Sequence, residues 1–342
     1  MLRLETIKGP VDDTLLRHIG EMYGVDTDTR YRSLDFVRAV FNGNPAGYSY
    51  HVFAFDGDRA VGCYAIIPFP IVSRGRAVPA GKAEALFLHK DYRTQRVGGA
   101  LAGIAMMMLG HKFALESGIE LLFSLPGADV GLILRATGFK MVQAPLDHRY
   151  FLLRPGEIRQ LHGSRKRMMA AQGLSLAQRA LAVAFNGHGR VEIGRSDYLS
   201  RQISRIAARE PVAADKWSVG VSEEALRWWL SFGYLQILTA DAKPEEYALF
   251  TRGGPGGNVE ILDWNLTGAG TAALGHIVRL ARQEGTLAVS FAQQLAASPS
   301  LRRAAALLGF IPRRIERTIY VYSKDPFYRD PANLQFNWLF TI

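Results

Sequence analysis

The feature that most constrains this chain is an order of elements that occurs twice. In the first half, residues 83–88 (AEALFL) read as a strand, a polar loop follows, and a long apolar helix pattern runs from Gly98 to about Glu116. Residues 120–125 (ELLFSL) then form a short apolar strand, a helix closes at Thr137-Gly138-Phe139, and a last strand lies near 149–153. In the second half, residues 259–265 (VEILDWN), 271–283, 287–291, 301–310 (LRRAAALLGF) and 317–322 stand in the same order. Glu84 precedes Phe139 by 55 positions and Glu260 precedes Phe310 by 50. Self-similarity at this scale means two copies of one domain rather than a solenoid, whose repeats are shorter.

Upstream elements extend the parallel. Residues 12–23 and 33–41 carry apolar residues at helical spacing, 42–47 (NGNPAG) is turn chemistry, and 50–55 and 60–67 form a strand pair across Asp56-Gly57-Asp58. Residues 222–230 (SEEALRWWL) match 33–41, while 235–239 and 247–251 match the strand pair. The expected domains are therefore 1–155, a connector over 156–221 with a helix at 175–185, and 222–342. A chain of 342 residues at about 150 per domain agrees with two domains, and 48% hydrophobic with 21% charged residues excludes disorder.

One cysteine, Cys63, allows no intramolecular disulfide, and the charged N-terminal stretch lacks a secretory apolar run. Both point to a reducing, cytoplasmic compartment. The longest apolar stretch, 98–110, falls short of the 18 to 20 residues needed to span a bilayer, so no membrane insertion is expected. The net charge of +10 invites a nucleic-acid reading. Eleven basic and three acidic residues lie between Arg154 and Arg209, however, without a recognition helix, finger or aromatic strand motif, so the stretch reads as a solvated connector. Nucleic acid is not the expected partner. No paired ligand spacing among the eight histidines suggests a metal.

The segment that carries chemistry is Gln95-Arg96-Val97-Gly98-Gly99-Ala100. Glycine at 98 and a tiny residue at 100, between a strand and a helix, would turn backbone N–H groups toward an anion such as a pyrophosphate. It is neither a Walker loop nor a dinucleotide fingerprint, since Gly-Lys-Ser/Thr and Gly-x-Gly-x-x-Gly are both missing.

With its surroundings, AEALFLHKDYRTQRVGGALA followed by ELLFSL and RATGF, this segment resembles the GNAT superfamily of acyl-CoA-dependent N-acyltransferases. The resemblance covers residues 30–153 by motif and 222–322 by element order. It implies an α+β fold of two tandem GNAT-like domains, each a mixed, mostly antiparallel sheet flanked by helices, similar in architecture to Fem-type transferases and polysaccharide-cluster acetyltransferases. It further implies that Gln95, Arg96, Val97, Gly98, Gly99 and Ala100 bind the pyrophosphate of acetyl-CoA or another acyl-CoA. Backbone groups at Leu88, His89 and Lys90 would hold pantetheine and polarise the thioester carbonyl.

Glu84, inside an apolar strand, stands where histone-type members place the general base, and apolar flanks favour a carboxylate basic enough for that task. His89 is the alternative. Leu134 occupies the position where many members carry a tyrosine acid, so proton return would fall to solvent, Tyr92 or Tyr150. Residues 127–129 (Gly-Ala-Asp) replace a common asparagine. The second half has Leu266-Thr267-Gly268-Ala269-Gly270 at the loop position without Gln or Arg at its head, so one coenzyme site is expected, with the second domain walling an acceptor pocket. The expected acceptor is a small primary amine, an amino sugar or amino acid. The alternative is a non-catalytic protein that binds coenzyme A or an anionic partner.

Overall fold

The computed structural model describes residues 2–26, 29–125, 130–155, 164–184, 191–193, 196–208, 212–231, 233, 235–240, 243, 245–252 and 257–335. The expected features at 127–129, 186–187 and 189, and the cations Arg159, Arg190, Arg195 and Arg209, lie outside these residues. In chain order the elements are β1 (Arg3–Gly9), α1 (Asp13–Asp26), α2 (Leu34–Phe41), β2 (Ser49–Asp56), β3 (Arg59–Ser73), β4 (Arg76–Leu88), β5 (Arg96–Val97) and β6 (Ala100–Leu101). They continue with α3 (Ala102–Glu116), β7 (Leu121–Ser124), α4 (Gly131–Ala136), β8 (Lys140–Leu152), α5 (Arg165–Ala184), β9 (Val191–Ile193), α6 (Ser196–Ala208), β10 (Trp217–Val219) and α7 (Glu223–Ser231). The remainder is β11 (Leu235–Ala240), β12 (Tyr247–Thr251), β13 (Asn258–Trp264), α8 (Gly270–Gln283), β14 (Ala288–Ala292), α9 (Pro299–Leu308) and β15 (Ile311–Ser323).

These elements form two compact units that are not contiguous in sequence. Unit 1 holds residues 1–144, 210–232 and 318–342, and unit 2 holds 145–209 and 233–317. The units thus differ from the divisions 1–155, 156–221 and 222–342. Two long strands cross the boundaries. Residues 148–152 of β8 pair with β14 inside unit 2, and residues 320–323 of β15 pair with β7 inside unit 1. Each unit is completed by a half-strand that the linear order assigns to the other copy.

In unit 1 the strands run β1-β2-β3-β4-β7-β15, with β10 beside the far end of β3. Among the described strands of unit 1, only β4 and β7 pair in parallel. Helix α3 makes the crossover that a parallel pair requires, and its apolar run packs Ala102, Met106, Met107 and Ala114 against Val52, Tyr64, Leu88 and Leu122 of the sheet. Gly110 is needed where α3 meets the Tyr64 ring, since a Cβ there would lie 2.8 Å from the ring.

Helix α7, whose sequence matches α2, belongs to unit 1 and not to the second copy. Trp228 Nε1–H donates to Ala39 O at 2.7 Å, and the Trp229 ring lies 5.5 Å from Phe69. The two tryptophans are core residues because their helix face covers an apolar sheet, as helical spacing suggests.

In unit 2 the order is β8-β14-β13-β12-β11-β9, again with one parallel pair, β13 and β14. Its core gathers Phe151, Phe250, Ile261, Leu274, Ile277, Phe291, Leu301 and Phe310. Of the expected connector, α5, β9 and α6 belong to this unit, whereas β10 belongs to unit 1. Helix α5 starts ten residues before the expected Ser175, and Ser175 and Gln178 hydrogen-bond the backbone of Leu152 on β8. No helix among the described residues is long and apolar enough to cross a membrane.

A buried polar chain runs through unit 1. The Ser49 hydroxyl donates to Phe41 O at 3.0 Å, so His51 Nε2–H donates to Ser49 Oγ at 2.6 Å, and His51 Nδ1 faces the Cys63 thiol at 3.8 Å. Burial lowers the pKa of His51 to about 3 and raises that of Cys63, which makes the thiol core material rather than a nucleophile. Burial likewise lowers the pKa of His111, bonded to the Tyr64 hydroxyl at 2.8 Å, to about 4.

These two histidines set a pH dependence. Both pKa values are depressed on folding, so below about pH 6.5 the unfolded chain takes up protons that the folded chain refuses, and stability falls with pH until the folded values are reached. By pH 5, above the range where carboxylates titrate, the loss should be about 2 kcal/mol for each histidine. Urea unfolding at pH 7.5 and 5 measures it, and His111→Gln should remove about half of the difference.

Candidate functional site

The site of unit 1 begins where a ladder ends. β4 pairs with β7 only through Ala80–Leu121, Gly81–Leu122 and Lys82–Phe123, and the Ser124 hydroxyl on Ala83 O at 3.3 Å is the last link. β4 runs on to Leu88, so its edge over Glu84–Phe87 has no strand partner on the β7 side among the described residues. On the other side, the register with β3 shifts between Cys63–Phe87 and Ala65–Glu84. Ala85 takes φ +52°, a left-handed conformation that costs an L-residue about 1–2 kcal/mol and marks this bulge as a strained point. An unpaired, bulged edge offers N–H and C=O groups to an extended ligand.

The free edge lies earlier than the expected Leu88-His89-Lys90. There, His89 N–H donates to Val61 O at 2.9 Å, Leu88 O accepts from Arg93 Nε at 2.9 Å, and His89 O and Lys90 O accept from the Tyr92 and Arg93 amides. Those groups already hold a tight turn together.

The loop 95–101 also differs in detail. α3 begins at Ala102, not Gly98, because Gly98 and Gly99 adopt φ +57° and +85° and cannot start a right-handed helix. They are instead the turn of a two-residue hairpin between β5 and β6, with Arg96 Nη1 on Gly99 O at 2.6 Å and Ala102 N–H on Gln95 O at 2.8 Å. Nothing lies within 4 Å of a Cβ built on either glycine. Their N–H groups find no partner among the described residues, and no side chain caps α3. Backbone donors with room before them suit a polyphosphate, so the residues present fit an acyl-CoA co-substrate.

Glu84 is partly buried, and its Oε2 lies 3.0 Å from Lys82 Nζ, two residues back on the same face of the strand. The period-2 pattern of KAE places this neighbour on the same strand face, a signal that the apolar flanks of Glu84 overshadow. His89 Nδ1 stands 3.4 Å from Asp91 Oδ2, too poorly aligned to hydrogen-bond it. Leu134 is buried in the core of unit 1, as its apolar character requires. The Tyr92 hydroxyl donates to Asp56 at 2.8 Å, and Tyr150 belongs to unit 2. A phenol does stand against α4: the Tyr320 hydroxyl, from the half of β15 in unit 1, occupies the space a side chain at Gly131 would need, and it donates to Met141 Sδ at 3.8 Å. No local pattern places residue 320 beside residue 131.

In unit 2 the parallel ladder ends at Ile261–Phe291, and β13 continues to Trp264 without a strand partner on that side among the described residues. A cavity of about 490 Å³ opens there. Among the described residues no group of three or more His, Cys, Asp or Glu could hold a metal ion.

One parallel pair that separates beside a crossover helix, within an otherwise antiparallel sheet, recurs in both units. The chain thus has a tandem GNAT-like fold, α+β with mixed, mostly antiparallel sheets flanked by helices. It is similar to a GCN5-related N-acetyltransferase from Anabaena variabilis ATCC 29413, at 14% identity and a TM-score of 0.50 over 93% of this chain and 72% of that one. It is also similar to Saccharomyces cerevisiae N-myristoyltransferase with bound myristoyl-CoA, at 11% identity and a TM-score of 0.52 over 93% and 79%. A tandem GNAT protein from the clavulanic acid biosynthesis pathway aligns over 95% of this chain and 99% of that one, at 15% identity and a TM-score of 0.49. No family model matches the sequence, nor does any curated protein.

The Tyr320–Gly131 contact is testable. A Cβ at 131 would collide with the Tyr320 hydroxyl oxygen, so Gly131→Ala should destabilise the protein by about 1–3 kcal/mol despite the better helix propensity of alanine. Adding Tyr320→Phe should restore part of the loss in urea unfolding.

Proposed function

We propose that this protein is an acyl-CoA-dependent N-acyltransferase that transfers an acyl group, acetyl as the expected case, to a small primary amine such as an amino sugar or amino acid. The observation that carries the reading is the free edge of β4 over Glu84–Phe87, in the same unit as the unpartnered Gly98 and Gly99 amides. The neighbouring folds, one of them with myristoyl-CoA bound, support the same donor class.

In this reading the Gly98–Gly99 turn and the start of α3 bind the pyrophosphate, with Gln95, Arg96, Val97 and Ala100 shaping the hairpin. The β4 edge takes the pantetheine amides and donates to the thioester oxygen as it gains charge. Glu84 removes a proton from the amine, directly or through one water. The amine nitrogen bonds to the carbonyl carbon, the C–S bond breaks, and the thiolate takes a proton from solvent. Lys82 fixes the Glu84 side chain on its strand. His89, turned toward Asp91, is the weaker base candidate. A second reading, a protein that binds acyl-CoA without transferring, is favoured by Leu134, which leaves no acid at that place on α4. Turnover with an amine panel separates the two.

Two outcomes follow. Titration calorimetry should give one acetyl-CoA site per chain. Gly98→Asp, which sets a carboxylate where the pyrophosphate lies, should weaken binding by about 2 kcal/mol or more, roughly thirtyfold. If acetyl-CoA raises the Tm of this variant as much as that of the wild type, the cradle is misplaced.

Glu84→Gln should keep acetyl-CoA affinity and lose about 10²- to 10⁴-fold in kcat at neutral pH. It should recover activity as rising pH deprotonates the amine in solution. Activity equal to the wild type at pH 7 would remove Glu84 from the mechanism.

A further inference from the structure

An open cavity lies where β13 of unit 2 runs on past its parallel ladder, and a carboxylate, Asp263, is in its lining. Its volume of about 490 Å³ is that of a small-molecule pocket, and Asp263, Trp264, Thr267, Leu295, Ser298 and Ser300 are among its lining residues. Matching backbone bonds fix how the two units correspond. His89 N–H donates to Val61 O at 2.9 Å in unit 1, and Asn265 N–H donates to Tyr247 O at 2.8 Å in unit 2. Glu246 therefore stands where unit 1 has Ala60.

That substitution fills the second loop from within. Glu246, 5% exposed, accepts the Thr267 hydroxyl on Oε1 at 2.6 Å and the Thr267 N–H on Oε2 at 3.3 Å, with Lys243 Nζ 3.4 Å away. Burial opposes the ionised form, but the Thr267 hydroxyl, the Thr267 and Gly268 amides and Lys243 outweigh it and hold the carboxyl below its ordinary range. Donors that could greet an external anion are already serving an internal one.

The cavity wall also carries a carboxylate and two hydroxyls, groups that can accept hydrogen bonds from an ammonium. Asp263 is held in place by Trp264 N–H on Oδ1 at 2.7 Å and the Tyr247 hydroxyl on Oδ2 at 2.8 Å. Ser300 Oγ accepts Trp264 Nε1–H at 3.0 Å, donates to Leu266 O and lies 3.1 Å from Ser298 Oγ. Leu295 and the indole of Trp264 supply apolar wall.

We propose that this cavity binds a small primary ammonium compound, an amino sugar or amino alcohol, through Asp263, and that Glu246 closes it to phosphorylated anions. The site rests on unit 2 alone and stands or falls independently of acyl-CoA binding in unit 1.

The experiment titrates the full-length protein with glucosamine, 2-aminoethanol and putrescine, using N-acetylglucosamine as the uncharged counterpart. At least one amine should bind, and N-acetylglucosamine should bind at least tenfold more weakly than glucosamine. Asp263→Asn should weaken the amine at least tenfold without changing acetyl-CoA affinity. Leu295→Trp, which fills the cavity and leaves both carboxylates in place, should abolish amine binding and so keeps the test decisive if Asp263→Asn misfolds. Glu246→Ala should gain a site for inorganic pyrophosphate beyond any that the wild type shows. Binding of none of the three amines, equal binding of both sugars, indifference to both cavity variants, or no added pyrophosphate site in Glu246→Ala would each overturn the proposal.

Discussion

The two sites depend on where a parallel ladder stops. β4 and β7 share three residue pairs, β13 and β14 share four, and beyond them the first strand of each pair continues without its neighbour. Strand twist separates the members of such a pair once no further hydrogen bonds restrain them. In unit 1 the separation is reinforced on the other edge by the bulge at Ala85, whose positive φ is tolerated only because β3 holds the flanking residues on both sides. The result is a stretch of main chain that is ordered yet unpaired, which is scarce in a folded protein and useful for binding an amide-bearing ligand.

What each unit does with that gap is set by a few residues around it. Unit 1 follows its strand with a hairpin whose two glycine amides find no partner among the described residues and whose Cβ positions meet open space. Unit 2 moves from Asn265 to α8 in a few residues and satisfies the loop amides with Glu246. The same backbone frame thus presents unpartnered amides in one copy and bonded ones in the other. Duplication of a fold preserves the geometry of a gap, whereas one buried carboxylate in place of an alanine decides which ligands the gap admits.

Much of this was legible in the sequence. The strand–loop–helix–strand order of 83–125 and its echo at 259–291 follow from hydrophobic period and glycine placement, which are local properties. Loop 95–100 announced itself by its glycines, and Leu134 announced a missing acid. Other features had a signal that competed with a stronger one. Lys82 shares a strand face with Glu84, and two consecutive glycines before an apolar helix read equally as a helix start or as a hairpin turn. The bonded amide of His89 and the strained Ala85 carry no signature in residue type, because both arise from how β4 meets β3.

Spacing along the chain was enough to specify the kinds of elements, their order and the duplication, because each of these is a local property. Which copy each element completes was settled by tertiary contacts. β8 and β15 each divide between the units, α7 joins unit 1 although its pattern repeats α2, and α5 belongs to unit 2 rather than to a connector. A strand has two edges and an amphipathic helix one apolar face, and neither specifies which of two similar sheets will cover it. That choice is made by contacts between residues far apart in sequence, such as Trp228 on Ala39, Gln178 on Leu152 and Tyr320 beside Gly131.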